Sequence, residues 1–182
     1  ESNAWMSDDY PYVFVKMVND WRGLWGQKRL PFYYIQVAPY GDLPGDIRLQ
    51  QAKVWEEGLL DDIGMTTAID VGDSLDIHPK DKVTPAHRFV LLALANEYGF
   101  DVECEGPLLK EVKVDGDKMI LSFKNSKGLY IRDDSGKRLD TGVRYLMIAG
   151  EDGVYHPAHS KVEGGKLVAW SPAVPHPAHI KY

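Results

Sequence analysis

The sequence predicts an α/β domain followed by an all-β module, and three observations predict it. Residues 5–99 alternate in the order helix, strand, helix, strand, helix, a pattern that implies a parallel sheet with right-handed crossovers. From Gly106 on, short alternating runs are separated by turn signals, as in a β-sandwich. The composition changes between Gly99 and Gly106, which divides the chain into domains 1–102 and 103–182. Two strands do not make a stable parallel sheet under three helices. The rest of that sheet is therefore expected from sequence outside this chain or from another chain.

The elements follow in order. Residues 1–4 read as a short polar loop. In residues 10–25, Val13, Phe14, Met17, Val18, Trp21, Leu24 and Trp25 recur at helical spacing. Asp8 or Asp9 can cap that helix, and Pro11 suits its first turn. Residues 31–39 are a nearly continuous β-favouring run bounded by prolines, the pattern of a strand buried on both faces. A Gly/Pro loop over 40–46 leads into a second helix, 47–60, with Leu49, Ala52, Val54, Trp55 and Leu59 as its apolar residues. A second buried strand is expected over 65–71. Thr84-Pro85 opens a third helix, with Phe89, Val90, Leu92, Ala93 and Leu94 on its apolar face, and Tyr98-Gly99 ends it. In the β module, 108–114 meets 118–123 across Asp115-Gly116, a hairpin signal. Strands at 128–131, 143–149 and 166–170 follow, the last after Glu163-Gly164-Gly165.

The bulk properties exclude several classes. Of 182 residues, 44% are hydrophobic and 26% charged, an ordinary globular composition. The net charge of -6 argues against nucleic acid or an anionic membrane surface as a partner. No apolar run approaches the ~20 residues of a membrane span. Cys104 is the one cysteine, so no intrachain disulfide is possible. The chain starts at Glu1 without Met and stops at Tyr182 in a strand-like stretch. It is expected to be an internal piece of a longer protein, with the β module incomplete at its C-terminus.

The chemistry concentrates in residues 70–80. Asp70, Asp73 and Asp76 follow the apolar run 66–71, and His78 stands ahead of Pro79 just before the third helix. A histidine at the carboxyl end of a strand with acids beside it is how an α/β hydrolase presents a general base. The plainer alternative is that the acids solvate a loop and cap the next helix. In an extended segment Asp76 and His78 fall on one side, which makes Asp76 the best local orienting acid. Asp73 is the alternative acid, and Asp70 a further reserve.

Several stretches resemble a known family. Glu1-Ser2-Asn3-Ala4 is similar to the end of the Trp-x-Gln-Gly-Glu-Ser-Asn-Ala block of sialate O-acetylesterases. Residues 31–39, the block 67–73 with 76–82, and the runs 146–150 and 168–172 also resemble that family, in order along nearly the whole chain. The family belongs to the SGNH (GDSL-type) hydrolases, serine esterases on a flavodoxin-like parallel sheet. The resemblance implies hydrolysis of O-acetyl esters on sugars, the 9-O-acetyl group of sialic acid foremost, with no metal and no organic cofactor. It implies a secreted, periplasmic or lysosomal enzyme.

Such hydrolysis needs a nucleophile, a base, a group that orients the base, and oxyanion donors. His78 is the expected base, because an imidazole accepts and returns a proton near neutral pH. SGNH enzymes usually show Asp-x-x-His, but Leu75 stands three residues before His78. Asp76 is then the expected acid, and a backbone carbonyl is the other means of positioning the ring. The family's Gly-x-Ser nucleophile block is absent from these residues. Ser2 is expected to be a loop hydroxyl rather than its substitute. The nucleophile is therefore expected on a missing upstream half of the hydrolase domain. Glu1, Asn3 and Trp5 would border the pocket, where Glu1 and Asn3 have capping of the first helix as their structural alternative.

Other signals weigh less. The pairs His156/His159 and His176/His179 have the spacing of metal ligands, but converging nitrogens and a third ligand are needed; surface histidines are expected and no metal site is assigned. Trp21, Trp25 and Trp55 are expected in the core, while Trp5 could stack on a sugar. Acetylated xylan or another polysaccharide is an alternative substrate, and a non-catalytic carbohydrate-binding or packing role is an alternative of a different class.

Overall fold

The structure, a computed structural model, describes residues 4–41, 43, 45–133, 135–139 and 141–182. The expected roles of Glu1, Ser2 and Asn3 lie outside the described residues. The chain divides into two compact units, Glu1–Cys104 and Glu105–Tyr182.

In the first unit, two short 3₁₀ turns kinked at Met6 span Ala4–Asp9 and run into helix α1, Tyr10–Trp25. Pro11 sits in the first turn as expected, but neither expected cap forms. Asp9 precedes α1 with helical backbone angles and makes no side-chain cap bond, because the chain is already wound before α1 begins. At the other end, Gly26 adopts φ 65°, and Gln27 N–H closes on the Arg22 carbonyl at 2.9 Å. A left-handed glycine at this position satisfies carbonyls that the helix cannot.

Strand β1, Phe32–Gln36, pairs in parallel with β2, Ile63–Thr67, and α2, Asp46–Glu56, connects them. Three expectations need correction. Strand β1 is not buried on both faces: Tyr34 is buried, and the residues on either side of it are only half-buried. Helix α2 stops at Glu56 rather than residue 60, where Gly58 turns the chain at φ 63°. Strand β2 stops at Thr67 rather than residue 71. There Thr67 Oγ1 accepts the Ile69 N–H at 3.2 Å and Arg88 takes the Thr67 carbonyl at 2.6 Å. Helix α3, Val83–Asn96, then follows.

Helices lie on both sides of the strand pair. Tyr34 joins Phe14, Val18, Val54 and Leu60 in a core shared with α1 and α2, where the Phe14 and Tyr34 rings lie 4.7 Å apart. On the other side, a Cβ on Gly64 would stand 2.8 Å from the Tyr33 ring and 3.3 Å from Leu92 of α3; glycine lets α3 pack closely. Trp55 packs against the first core. Trp21 and Trp25 do not fill it: they are 44% and 66% exposed, because the helical stripe on α1 is wider than the layer beneath it.

Arg22, by contrast, is buried. Its Nε and Nη2 donate to the Leu30 carbonyl at 3.0 and 2.9 Å, and Nη2 donates to the Asp61 and Asp62 carbonyls at 2.8 and 3.3 Å. It ties α1 to the segments that enter both strands.

The second unit is all β. Strands β3 (Leu108–Asp115), β4 (Lys118–Lys124), β10 (Lys166–Trp170) and β9 (His159–Glu163) form an antiparallel sheet in that order. Strands β11 (His179–Lys181), β7 (Met147–Ala149) and β8 (His156–Pro157) form a second, and β5 (Ile131–Arg132) pairs with β6 (Arg138–Leu139). Met119, Leu121, Leu167 and Ala169 from the first sheet share one core with Ile148 and Ile180 from the second and with Ile131. Two sheets over one core make the unit sandwich-like. The histidines of the two His-x-x-His pairs fall in or beside short strands, and no group of three or more His, Cys, Asp or Glu residues able to hold a metal is found among the described residues.

Candidate active site

A cleft of about 580 Å³ opens at the carboxyl ends of β1 and β2, where open parallel sheets bind ligands. Its apolar wall comes from Ile35, Val37, Ile47, Ala68, Ile77 and Pro85, and its polar groups from Tyr10, Gln36, Gln51, His78, Asp81 and Lys82.

His78 reaches the cleft on the loop 68–82 that joins β2 to α3. Successive short-range bonds shape this loop. The Asp73 carboxylate accepts the Leu75 N–H at 2.9 Å, and the Asp76 carboxylate accepts the His78 N–H at 2.9 Å. Such Asx turns give the chain local structure without a helix or strand. The same Asp76 Oδ1 lies 3.7 Å from His78 Nδ1. That distance is too long for a hydrogen bond, and catalytic pairs commonly tighten only when substrate is bound. The His78 side chain is 86% exposed, so a reacting group can approach its ring without displacing protein.

The three acids thus do different things. Asp76 faces the imidazole. Asp73 is engaged by the Leu75 N–H and forms a backbone bridge with Asp76. Asp70 accepts two bonds from the Arg88 guanidinium, at 2.8 and 2.6 Å. The loop's last acid, Asp81, takes the Thr84 N–H at 2.9 Å and the Thr84 hydroxyl at 2.6 Å. These bonds hold its carboxyl below the usual carboxylate range, the hydroxyl contributing most. Leu75, in the place of the expected acid three before His78, is 90% exposed. Trp5 is 75% exposed and does not line the cleft; its neighbour Ala4 does.

Sequence reasoning missed the cleft's polar floor. Gln51 lies on the buried stripe of α2 with Ile47 and Val54. Its Oε1 accepts the Val37 N–H at 2.9 Å, and its Nε2 donates to the Tyr10 hydroxyl and the Ile35 carbonyl, both at 3.4 Å. Burial pushes the Tyr10 hydroxyl pKa up, against a smaller lowering by Gln51. A glutamine among apolar residues at i, i+4 and i+7 was the available signal.

No family model matches the chain, and no curated protein matches it. Among solved structures, it is similar to a carbohydrate acetylesterase from Xanthomonas citri, with 31% sequence identity and a TM-score of 0.79. The likeness covers 96% of this chain and 40% of that one, so the chain spans about two fifths of that enzyme's length.

Proposed function

We propose that this chain is the acid–base part of a carbohydrate O-acetylesterase. The observation that carries the reading is the His78–Asp76 pair on a cleft at the carboxyl ends of two parallel strands. The activity is drawn from the Xanthomonas citri acetylesterase, to which nearly the whole chain is similar. In this reading His78 takes the proton of a serine hydroxyl as it attacks the acetyl carbonyl, then returns it to the departing sugar oxygen. Asp76 orients the ring and stabilises the imidazolium that forms. The apolar wall at Val37, Ile47 and Ile77 suits a methyl group, and the polar floor suits a sugar.

The nucleophile and the oxyanion donors lie on a partner segment, the preceding half of an SGNH hydrolase domain, whose strands would continue the parallel sheet. Two features support that partner: β1 and β2 pair only with each other among the described residues, and Trp21, Leu24 and Trp25 stand exposed on α1. Sialic acid carrying O-acetyl groups is the substrate we favour, on the sequence resemblance; acetylated xylan is the second.

The test is acetyl-ester hydrolysis by the 182-residue chain alone. Activity should stay at the level of free imidazole and be unchanged by Ser2→Ala. A turnover comparable to an esterase that Ser2→Ala abolishes would overturn the division of the site between two segments.

A further inference from the structure

Resting on the esterase reading, we propose that Arg88 is a positioning residue for His78, acting from α3 through the backbone of the loop 68–82. His78 is solvent-exposed, so side-chain packing does little to aim its ring. The placement of the ring, and of Asp76 beside it, is set by where the loop carries them. That loop is fixed at both ends by α3. At its start, Arg88 Nη1 donates to the Thr67 carbonyl at 2.6 Å, and the guanidinium forks the Asp70 carboxylate. One side chain therefore grips the last residue of β2 and the loop's first turn, whose Val71 N–H bonds the Ala68 carbonyl at 3.3 Å. At its end, Asp81 is locked to Thr84 in the first turn of α3.

Between the two grips the loop lies against the chain after β1 at two points. Gly72 abuts the chain after β1 so closely that a Cβ would stand 2.6 Å from Pro39 Cδ and 2.9 Å from Ala38 Cβ. Just beyond, Gly41 N–H donates to the Ser74 carbonyl at 2.8 Å. Asp73 and Asp76 then shape the chain to His78. The Arg88 and Asp70 side chains are only 26% and 36% exposed, so water competes less for this pair than for a surface one. The planar guanidinium meets the carboxylate through two nitrogens while one of them also meets the carbonyl, a bidentate geometry that a single ammonium nitrogen does not reproduce.

The experiment uses the full-length enzyme that carries this chain, with Arg88→Met, Arg88→Lys and His78→Ala measured in parallel for kcat, KM and melting temperature on p-nitrophenyl acetate. A misplaced base slows the chemical step more than it weakens binding. Arg88→Met should lower kcat of the folded enzyme by about 10- to 100-fold with KM within about threefold, and Arg88→Lys should fall between it and the parent. A lower melting temperature with parental kcat below it would assign Arg88 a purely structural role and overturn the proposal. If Arg88→Met does not fold, Arg88→Lys decides by the same criterion. His78→Ala separates the two claims. If it stays active, the esterase reading falls and the positioning role with it. If it is inactive while the Arg88 variants keep parental kcat, only the positioning role falls.

Discussion

His78→Ala in the full-length protein is expected to slow acetyl-ester hydrolysis by about 10³-fold or more with the fold intact. The size follows from what the residue does. Without a base, serine attacks as a neutral hydroxyl and the leaving sugar oxygen departs without a proton. The fold should not suffer, because the His78 side chain is 86% exposed and the Asp76 bond goes to the backbone N–H that alanine retains. Rates on p-nitrophenyl acetate and on O-acetylated sialic acid, with melting curves of both proteins, check this. Activity within a few-fold of the parent would make the loop structural and reopen the functional assignment.

The second large effect is on stability. Arg22→Met is expected to cost about 2–4 kcal/mol, since it keeps the apolar stem but strips donors from the carbonyls of Leu30, Asp61 and Asp62. Those carbonyls lie where the chain turns into β1 and β2, so the loss falls on the parallel pair itself. Arg22→Lys should recover only part of it, because an ammonium's donors all sit on one nitrogen and do not reproduce the geometry of Nε and Nη2 over the three carbonyls. Urea unfolding of the three proteins measures the difference. A cost below about 0.5 kcal/mol, the range of ordinary surface substitutions, would show that water serves those carbonyls as well as Arg22 does.

Much of the first unit was legible because its signals are local. Apolar spacing marked α1 from Tyr10 to Trp25. Two β-rich runs with a helix between them implied a parallel pair, and β1 and β2 are parallel. Both long hairpins of the second unit turn at glycines with positive φ, Gly116 and Gly164-Gly165. What was not legible is set by distant residues. Strand β2 ends at Thr67 partly because Arg88, 21 positions later, takes its carbonyl. Trp21 and Trp25 keep helical spacing yet stand exposed, since periodicity gives a direction but not the extent of the layer that meets it. At the candidate site, the extended segment expected over 76–78 is a turn instead, and Asp76 lies beside His78 because its carboxylate accepts the His78 N–H. Composition alone could not separate it from Asp70, which spacing leaves equally acidic and the fold gives to Arg88. The Gln51–Tyr10 floor depends on α1 and α2 meeting, which no local pattern states.

The central claim is that this chain supplies the base while another segment supplies the nucleophile. Trapping with a fluorophosphonate, which phosphonylates an activated serine, tests it most directly. In the full-length protein the account predicts one labelled serine outside residues 1–182, found by peptide mass mapping, and labelling slowed by His78→Ala by at least about 10²-fold. Label on Ser2 or another serine within the chain, or labelling at the parental rate in His78→Ala, would contradict it.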